Sequence, residues 1–379
     1  MITLFVAGGA LAAWIYLTGF HGRFWQSGPE LEPGASSGNA RVAVVVPARD
    51  EAESITASLT SLLAQEYSGP LSVILVDDNS SDGTGAIARS LAQRELARNN
   101  RLTVLDGAPL AAGWSGKLWA VHQGLQHPAA CAAEFILLTD ADITHEPAHV
   151  AKLVAKAEAD GRDMVSEMVR LHCDTGAERA LIPAFIFFFQ MLYPFAWVND
   201  AKRSMAGAAG GTILIRRTAL ERIGGVESIR RELIDDCALA RAVKKTGGSL
   251  WLGHADRTVS ERIYADWREV WDMIARTAYV QLNHSPLLLA GCALGMALLY
   301  LAAPLLTFAA HGPAHWLALS AWLLMALSFQ PTLRRYHRSP LWGLALPAIG
   351  LFYLCATVTS ALRHYAGRGG GWKNRVYPQ

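Results

Sequence analysis

The chain has 379 residues, of which 52% are hydrophobic and only 17% charged. A mean hydropathy of +0.21 is too high for an ordinary soluble protein of this length, so contact with a bilayer is expected. A formal net charge of +2 excludes an electrostatic footprint for nucleic acid, and five scattered cysteines without a CxxC pair or a Cys/His cluster support neither a disulfide framework nor a zinc site.

Residues 1–22 read as an N-terminal transmembrane anchor. The stretch to Phe20 is uncharged and long enough to cross a bilayer, and Arg23, its first cation, follows the apolar run, which argues against a cleaved signal peptide. Residues 23–40, rich in Gly, Pro and Ser, read as a linker. From Arg41 short β-rich runs at 42–46, 71–76, 102–105 and 135–139 appear, with helical stretches at 53–63 and 84–97 separating the first three. Near-continuous apolar strands alternating with helices predict an α/β domain over 41–280, built on a mostly parallel sheet covered on both faces. Within it, residues 181–197 (LIPAFIFFFQMLYPFAW) are apolar and aromatic but broken by Pro183 and Pro194. They read as a segment at the membrane interface, with a buried core helix as the alternative. Residues 281–379 form a C-terminal transmembrane region with spans expected at 287–310, 316–333 and 341–362. Arg23 and the trio Arg334, Arg335 and Arg338 fall on one side under the positive-inside rule, yet four simple crossings put the basic tail (Arg363, Arg368, Lys373, Arg375) on the other. A re-entrant segment would reconcile them, and Pro347 makes the last one the candidate.

Parallel α/β sheets bind ligands at the carboxyl ends of their strands, so the chemistry is sought in the loops that follow. The first strand runs into PARDE, ending at Glu51, and the second into DDNSSDGT, which contains Asp78. Two acidic clusters at consecutive strand ends are costly to hold together unless a ligand or cation uses them. Asp82 can be explained as a helix cap, whereas the Asp77–Asp78 doublet is not needed for capping. The fourth strand leads into Asp140-Ala141-Asp142, a spacing that can turn two carboxylates toward one hard cation such as Mg²⁺ or Mn²⁺ and a diphosphate. Lys117, in GWSGK before a helix, can meet phosphate oxygens. Asp235-Asp236 can supply a general base, or can simply be acidic residues at a helix start.

Taken together and in this order, these residues resemble glycosyltransferase family 2, of the GT-A fold, over about residues 41–278. The resemblance implies that Glu51 and Asp78 bind the nucleoside and that Lys117 contacts the diphosphate. Asp140 and Asp142 would be the metal pair, with Asp142 the principal ligand, and Asp236 the catalytic base. Gly210 and Gly211 match a glycine segment lining the pocket. The anchor, GWSGKLWAVHQG, the Phe-rich stretch and WREVWDMIARTAYVQL also resemble the hopene-associated subgroup. The implied activity is inverting, metal-dependent transfer of one sugar from a nucleotide diphosphate sugar, UDP by resemblance, to a lipid hydroxyl, at a bacterial inner membrane with the catalytic domain facing the cytoplasm. Met273, Arg276 and Thr277 stand where processive synthases carry Gln-x-x-Arg-Trp, which argues against polymerisation. His122 stands where Asn is common and is given no metal role. A polyprenyl phosphate acceptor is the close alternative, and a nucleotide-binding membrane scaffold without turnover is the alternative of another class.

Overall fold

The computed structural model describes residues 1–32, 38–96 and 100–368, together with the backbone of 371–372 and 375–376. Residues 33–37 of the expected linker, Ala97, Lys373 and the side chain of Arg375 lie outside the described residues. The chain divides into two compact units, one of residues 29–172, 197–262 and 372–379, the other of residues 1–28, 173–196 and 263–371.

The first unit is built on an eight-stranded sheet in the order β3-β2-β1-β4-β7-β6-β8-β5. Its strands are β1 (Val42–Ala48), β2 (Leu71–Asp77), β3 (Leu102–Asp106), β4 (Phe135–Thr139), β5 (Ile143–Thr144), β6 (Met164–Arg170), β7 (Thr212–Arg216) and β8 (Leu250–Ser260). β3, β2, β1 and β4 run parallel, as their apolar runs predict. Every residue of β1 is buried, because both faces are covered. Val42, Val44, Val46, Val73 and Leu75 face a core completed by Leu59 and Leu62 of the helix Ile55–Leu63 and by Leu153 and Val154 of the helix His149–Ala159. On the other face the helix Gly116–Leu125 lies so close that a Cβ on Gly124 would meet Val45 at 2.5 Å. The period of two along the strands is therefore what lets one apolar run serve two layers. Truncating a core residue such as Leu59 to Ala should cost about 2–5 kcal/mol.

β7 is antiparallel to both β4 and β6. Thr139 pairs with Thr212, so the chain entering β7, Gly210-Gly211, lies beside the chain leaving β4, Asp140-Ala141-Asp142. The helix expected from residue 53 begins at Ile55. The difference has a local cause: the N–H of Glu51 donates to Thr84 Oγ1 and that of Ala52 to Asp82, fixing residues 51–54 as a turn against the loop after β2.

The second unit is helical: α1 (Ile2–Phe20), α2 (Gly176–Leu192), α3 (Trp267–Gln281), α4 (Pro286–Ala309), α5 (Pro313–Arg335) and α6 (Trp342–Tyr365). All but α3 are long and apolar enough to cross a membrane, α2 when counted through Val198. α2 opens on a capping box between Thr175 and Glu178 and runs through Pro183, which the sequence suggests as an interruption. A proline inside a helix removes one hydrogen bond. Here that loss is borne by a helix buried along much of its length, with Ile182, Ala184, Ile186 and Phe187 at its core. In α4 a π-helical segment, Ala297–Ala302, breaks the regular repeat.

Candidate active site

The carboxyl ends of β1 and β2 are joined by a polar lattice. Asp50 and Asn79 both adopt left-handed backbone (φ 50° and 54°), uncommon outside glycine but tolerated by Asp and Asn. Asp50 Oδ1 accepts from the N–H of Ser81 at 2.8 Å, and the N–H of Asp50 donates to Ser80 Oγ at 3.0 Å. Asp78 is fully buried. Arg49 donates to its carbonyl and lies 3.9 Å from its carboxylate, a pairing not singled out from the sequence although Arg49 stands within the PARDE motif. Asp82 does act as a cap, its Oδ1 accepting from Thr84 N–H and Oγ1.

A cavity of ≈ 370 Å³, counted to its solvent-open mouth, sits at the end of β4 and is lined by Lys117, Asp140, Gly210, Asp235 and Asp236 among others. It brings together four of the charged positions singled out from sequence and Gly210. Glu51, Asp78 and Asp142 are not part of its lining. Gly210 has a steric reason: a Cβ there would lie 3.3 Å from Asp236 Oδ2 and 3.6 Å from Lys117 Nζ, inside the cavity. Gly211 packs instead against Val169, which a Cβ would meet at 2.9 Å.

Lys117 Nζ bridges Asp140 at 2.8 Å and Asp235 at 3.1 Å. Burial works against its charge, but Asp140, Asp235 and Asp236 outweigh that and hold it firmly protonated. Lys117 therefore links the end of β4 to the first turn of the helix Asp235–Lys245. Asp236 lies in that same turn. Burial and then Asp235 push its carboxyl up to about 7, while Lys117 and the N–H of Cys237 pull it down. Within the Asp235-Asp236 pair the division of labour is thus visible: Asp235 holds the lysine, and Asp236 is left poised near neutrality.

Asp142 is likewise pushed up to about 7, first by burial and then by Asp140 and Glu51, with Arg262 opposing. A carboxylate this poorly compensated suits a divalent cation, which would restore its charge. Among the described residues no group of three His, Cys, Asp or Glu side chains is arranged to hold a metal. A cation here would draw on Asp140 and Asp142 and complete its shell with diphosphate oxygens and water, the usual habit of Mg²⁺. The donor set fits on those terms.

Behind β4 lies a buried chain that the sequence did not suggest. Thr139 Oγ1 donates to Gly211 O at 2.8 Å, so it accepts from His145 Nε2 at 3.1 Å. His145 Nδ1 then accepts from His149 Nδ1–H at 2.7 Å, and His149 Nε2 meets Glu167 Oε2 at 2.7 Å. Following the donors along the chain puts the last proton between His149 and Glu167. Burial raises Glu167, which favours the carboxylic acid as donor. The four residues tie β6, the helix His149–Ala159 and β4 to the glycine pair beside Asp140.

Residues 43–224 match the family model described as "Glycosyl transferase family 2". The chain is 28% identical over 206 residues to the 4,4'-diaponeurosporenoate glycosyltransferase of Staphylococcus aureus strain MRSA252, and 27% identical over 206 residues to that of strain USA300. Each match covers 52% of this chain, and the chain spans about half (50%) the length of these curated relatives. Among solved structures it resembles the mannosyltransferase PcManGT from Pyrobaculum calidifontis, in complex with GDP-Man and Mn²⁺, at a TM-score of 0.61. That likeness covers 95% of this chain and 99% of the other at 20% identity, and it establishes a shared GT-A-like fold.

Proposed function

Because the chain carries a glycosyltransferase family 2 domain over residues 43–224, we propose that it transfers a single sugar from a nucleoside diphosphate sugar to the hydroxyl of a membrane lipid, with inversion at the anomeric carbon. The observation that carries this reading is Asp236: a buried carboxyl raised to about 7, on one cavity with Lys117 and Asp140. A general base is most effective when its pKa lies near the working pH. Asp236 takes the proton from the acceptor hydroxyl as that oxygen attacks the anomeric carbon, and the nucleoside diphosphate leaves from the opposite face, so one displacement inverts the centre. A phosphate acceptor is already anionic and has little use for such a base, which favours the hydroxyl over the polyprenyl phosphate alternative.

The remaining roles follow from charge and position. Glu51 and Asp78, in the lattice at the ends of β1 and β2, hold the nucleoside, with Arg49 keeping Asp78 in place. Lys117 exchanges part of its contact with Asp140 and Asp235 for the diphosphate. Asp140 and Asp142 hold Mg²⁺ or Mn²⁺, which when bound neutralises charge on the departing diphosphate. The structural neighbour is a complex with Mn²⁺, which supports a divalent ion, and its GDP-Man widens the donor panel beyond UDP sugars. The curated relatives are named for diaponeurosporenoate, a carboxylate, which supports an apolar acceptor and puts lipid carboxylates beside hopanoid-related hydroxyls on the same panel. In this reading the protein sits in a bacterial inner membrane with this domain facing the cytoplasm, which the basic Arg23 and Arg334, Arg335 and Arg338 support.

The test is turnover in lipid nanodiscs with Mg²⁺ or Mn²⁺, UDP and GDP sugars, and bacterial lipid extract. Release of nucleoside diphosphate that requires lipid, together with a lipid heavier by one sugar, is expected. Release of pyrophosphate, or full activity in Asp236→Asn, would sink the assignment.

A further inference from the structure

Of the five helices among the described residues that are long enough to cross a membrane, α2 is preceded and followed by segments of the same sheet-containing unit, so a single crossing there is ruled out by chain connection alone. The status of α6 is settled by what its two ends touch. α4 and α5 form a hairpin whose closed end is marked by the contact of His315 Nδ1 with Thr307 O at 2.7 Å. Ala310, Ala314 and Ala318 cluster there with Ala7, near the start of α1. The open end holds Pro286 and Arg335, and Arg335 Nε donates to Ser27, just past the end of α1, at 3.0 Å. Closed and open ends thus correspond to the two ends of α1, and so to the two faces of the membrane.

The start of α6 lies against the middle of α5, and its centre against the middle of α4, where a Cβ on Gly350 would meet Tyr300 at 2.8 Å. Gln330 Nε2 donates to Pro340 O at 3.1 Å, Trp322 Nε1 donates to Leu344 O at 3.3 Å, and a Cβ on Gly343 would meet Ala326 O at 2.7 Å. Its end lies at the entrance to α4. The N–H of Tyr279 donates to Ser360 Oγ at 3.0 Å, Tyr279 and Tyr365 join hydroxyls at 2.9 Å, and His284 stacks on His364 at 4.3 Å. Arg363 also pairs with Asp272 of α3 at 2.6 Å. A 24-residue helix is about 36 Å long and, if it crossed, would carry Tyr365 to the closed end of the hairpin. Instead Tyr365 meets the opposite end of α4.

We propose that α6 does not cross the bilayer but re-enters it from the side of Ser27, its start and centre packed into the α4–α5 hairpin and its end returning to the entrance of α4, so that the chain crosses three times, by α1, α4 and α5. The surface of α6 fits acyl chains on one side only. Leu341, Leu344, Ala348, Leu351, Cys355 and Leu362 are exposed at intervals of three, four and seven, while Leu346, Ile349, Tyr353 and Ala356 are buried on the other face. The charge pattern agrees. Residues 1–22 and 277–333 contain neither Lys nor Arg, whereas Arg334, Arg335 and Arg338 cluster past the open end of α5. With α6 re-entrant, Arg334, Arg335, Arg338, Arg363 and Arg368 all fall on the Ser27 side, as the positive-inside rule requires.

The experiment uses the full chain in a bacterial inner membrane and is independent of any sugar transfer. Green fluorescent protein fused after Gln379 should fluoresce, and alkaline phosphatase inserted at Gly312 should be active. In parallel, an impermeant maleimide should label Arg368→Cys in inside-out vesicles and His311→Cys in right-side-out vesicles, in a Cys131→Ser background. A dark fluorescent fusion, or Arg368→Cys labelled from the same side as His311→Cys, would overturn the proposal.

Discussion

Asp236, Lys117 and Gly210 carry the most specific predictions. Replacing Asp236 by Asn should lower kcat by about 10²–10⁴-fold, the usual worth of a general base, while donor affinity measured by calorimetry holds. The base must be ionised to act, so kcat/KM of the parent protein should fall as pH drops through about 7 and flatten above it. Lys117 pulls that carboxyl down, so Lys117→Met should shift the acid limb of the residual activity to higher pH. The same change strands Asp140 and Asp235 without their cation. With the Asp140 side chain 36% exposed, the loss is about 1–3 kcal/mol in a denaturation experiment, less than a fully buried pair would cost. Gly210→Ala should remove turnover with little effect on melting, because its Cβ would enter the cavity, not the core. All three residues are visible in the sequence as motif members. That Asp236 is raised to about 7 is not, because burial by residues far apart in the chain does most of it.

At the level of elements, the parallel strands β1 to β4 could be read directly, since a strand buried on both faces has to be apolar throughout. β7 could not, because its direction is set by its pairing with β4 and β6 and not by its own TILIR sequence. That antiparallel strand is what returns Gly210-Gly211 to the side of Asp140. The buried chain from Glu167 to Thr139 braces the same junction. Glu167→Gln keeps a donor toward His149 and should preserve both stability and turnover. Glu167→Leu leaves His149 Nε2 without one, and should cost about 1–3 kcal/mol and weaken Mn²⁺ binding read by electron paramagnetic resonance. Equal behaviour of the two variants would show that the chain does not brace the site. His145, His149 and Glu167 escaped the sequence reading because isolated polar residues near β4 and in β6 resemble surface positions until the fold buries them.

On the scale of the whole molecule, the chain comprises a sheet unit and a helical unit, and the proposed chemistry rests on residues of the first. Removing divalent ions with EDTA should bring turnover to background, and Mn²⁺ or Mg²⁺ should restore it. Unchanged turnover in EDTA would remove the metal from the proposed mechanism while leaving Asp236 in place. Composition and hydropathy by themselves determined that the chain meets a bilayer, that it contains a mostly parallel α/β sheet, and that acidic and lysine motifs follow its strands. These properties are local: the free energy of burying an apolar run, or of capping a helix, depends on residues close in sequence. Only the tertiary structure decided that Lys117, Asp140, Asp235 and Asp236 share one cavity, that Asp236 is poised near 7, and that the end of α6 returns to the entrance of α4. Those depend on distances between residues far apart in the chain, and electrostatic and packing energies are set by such distances, not by spacing along the sequence.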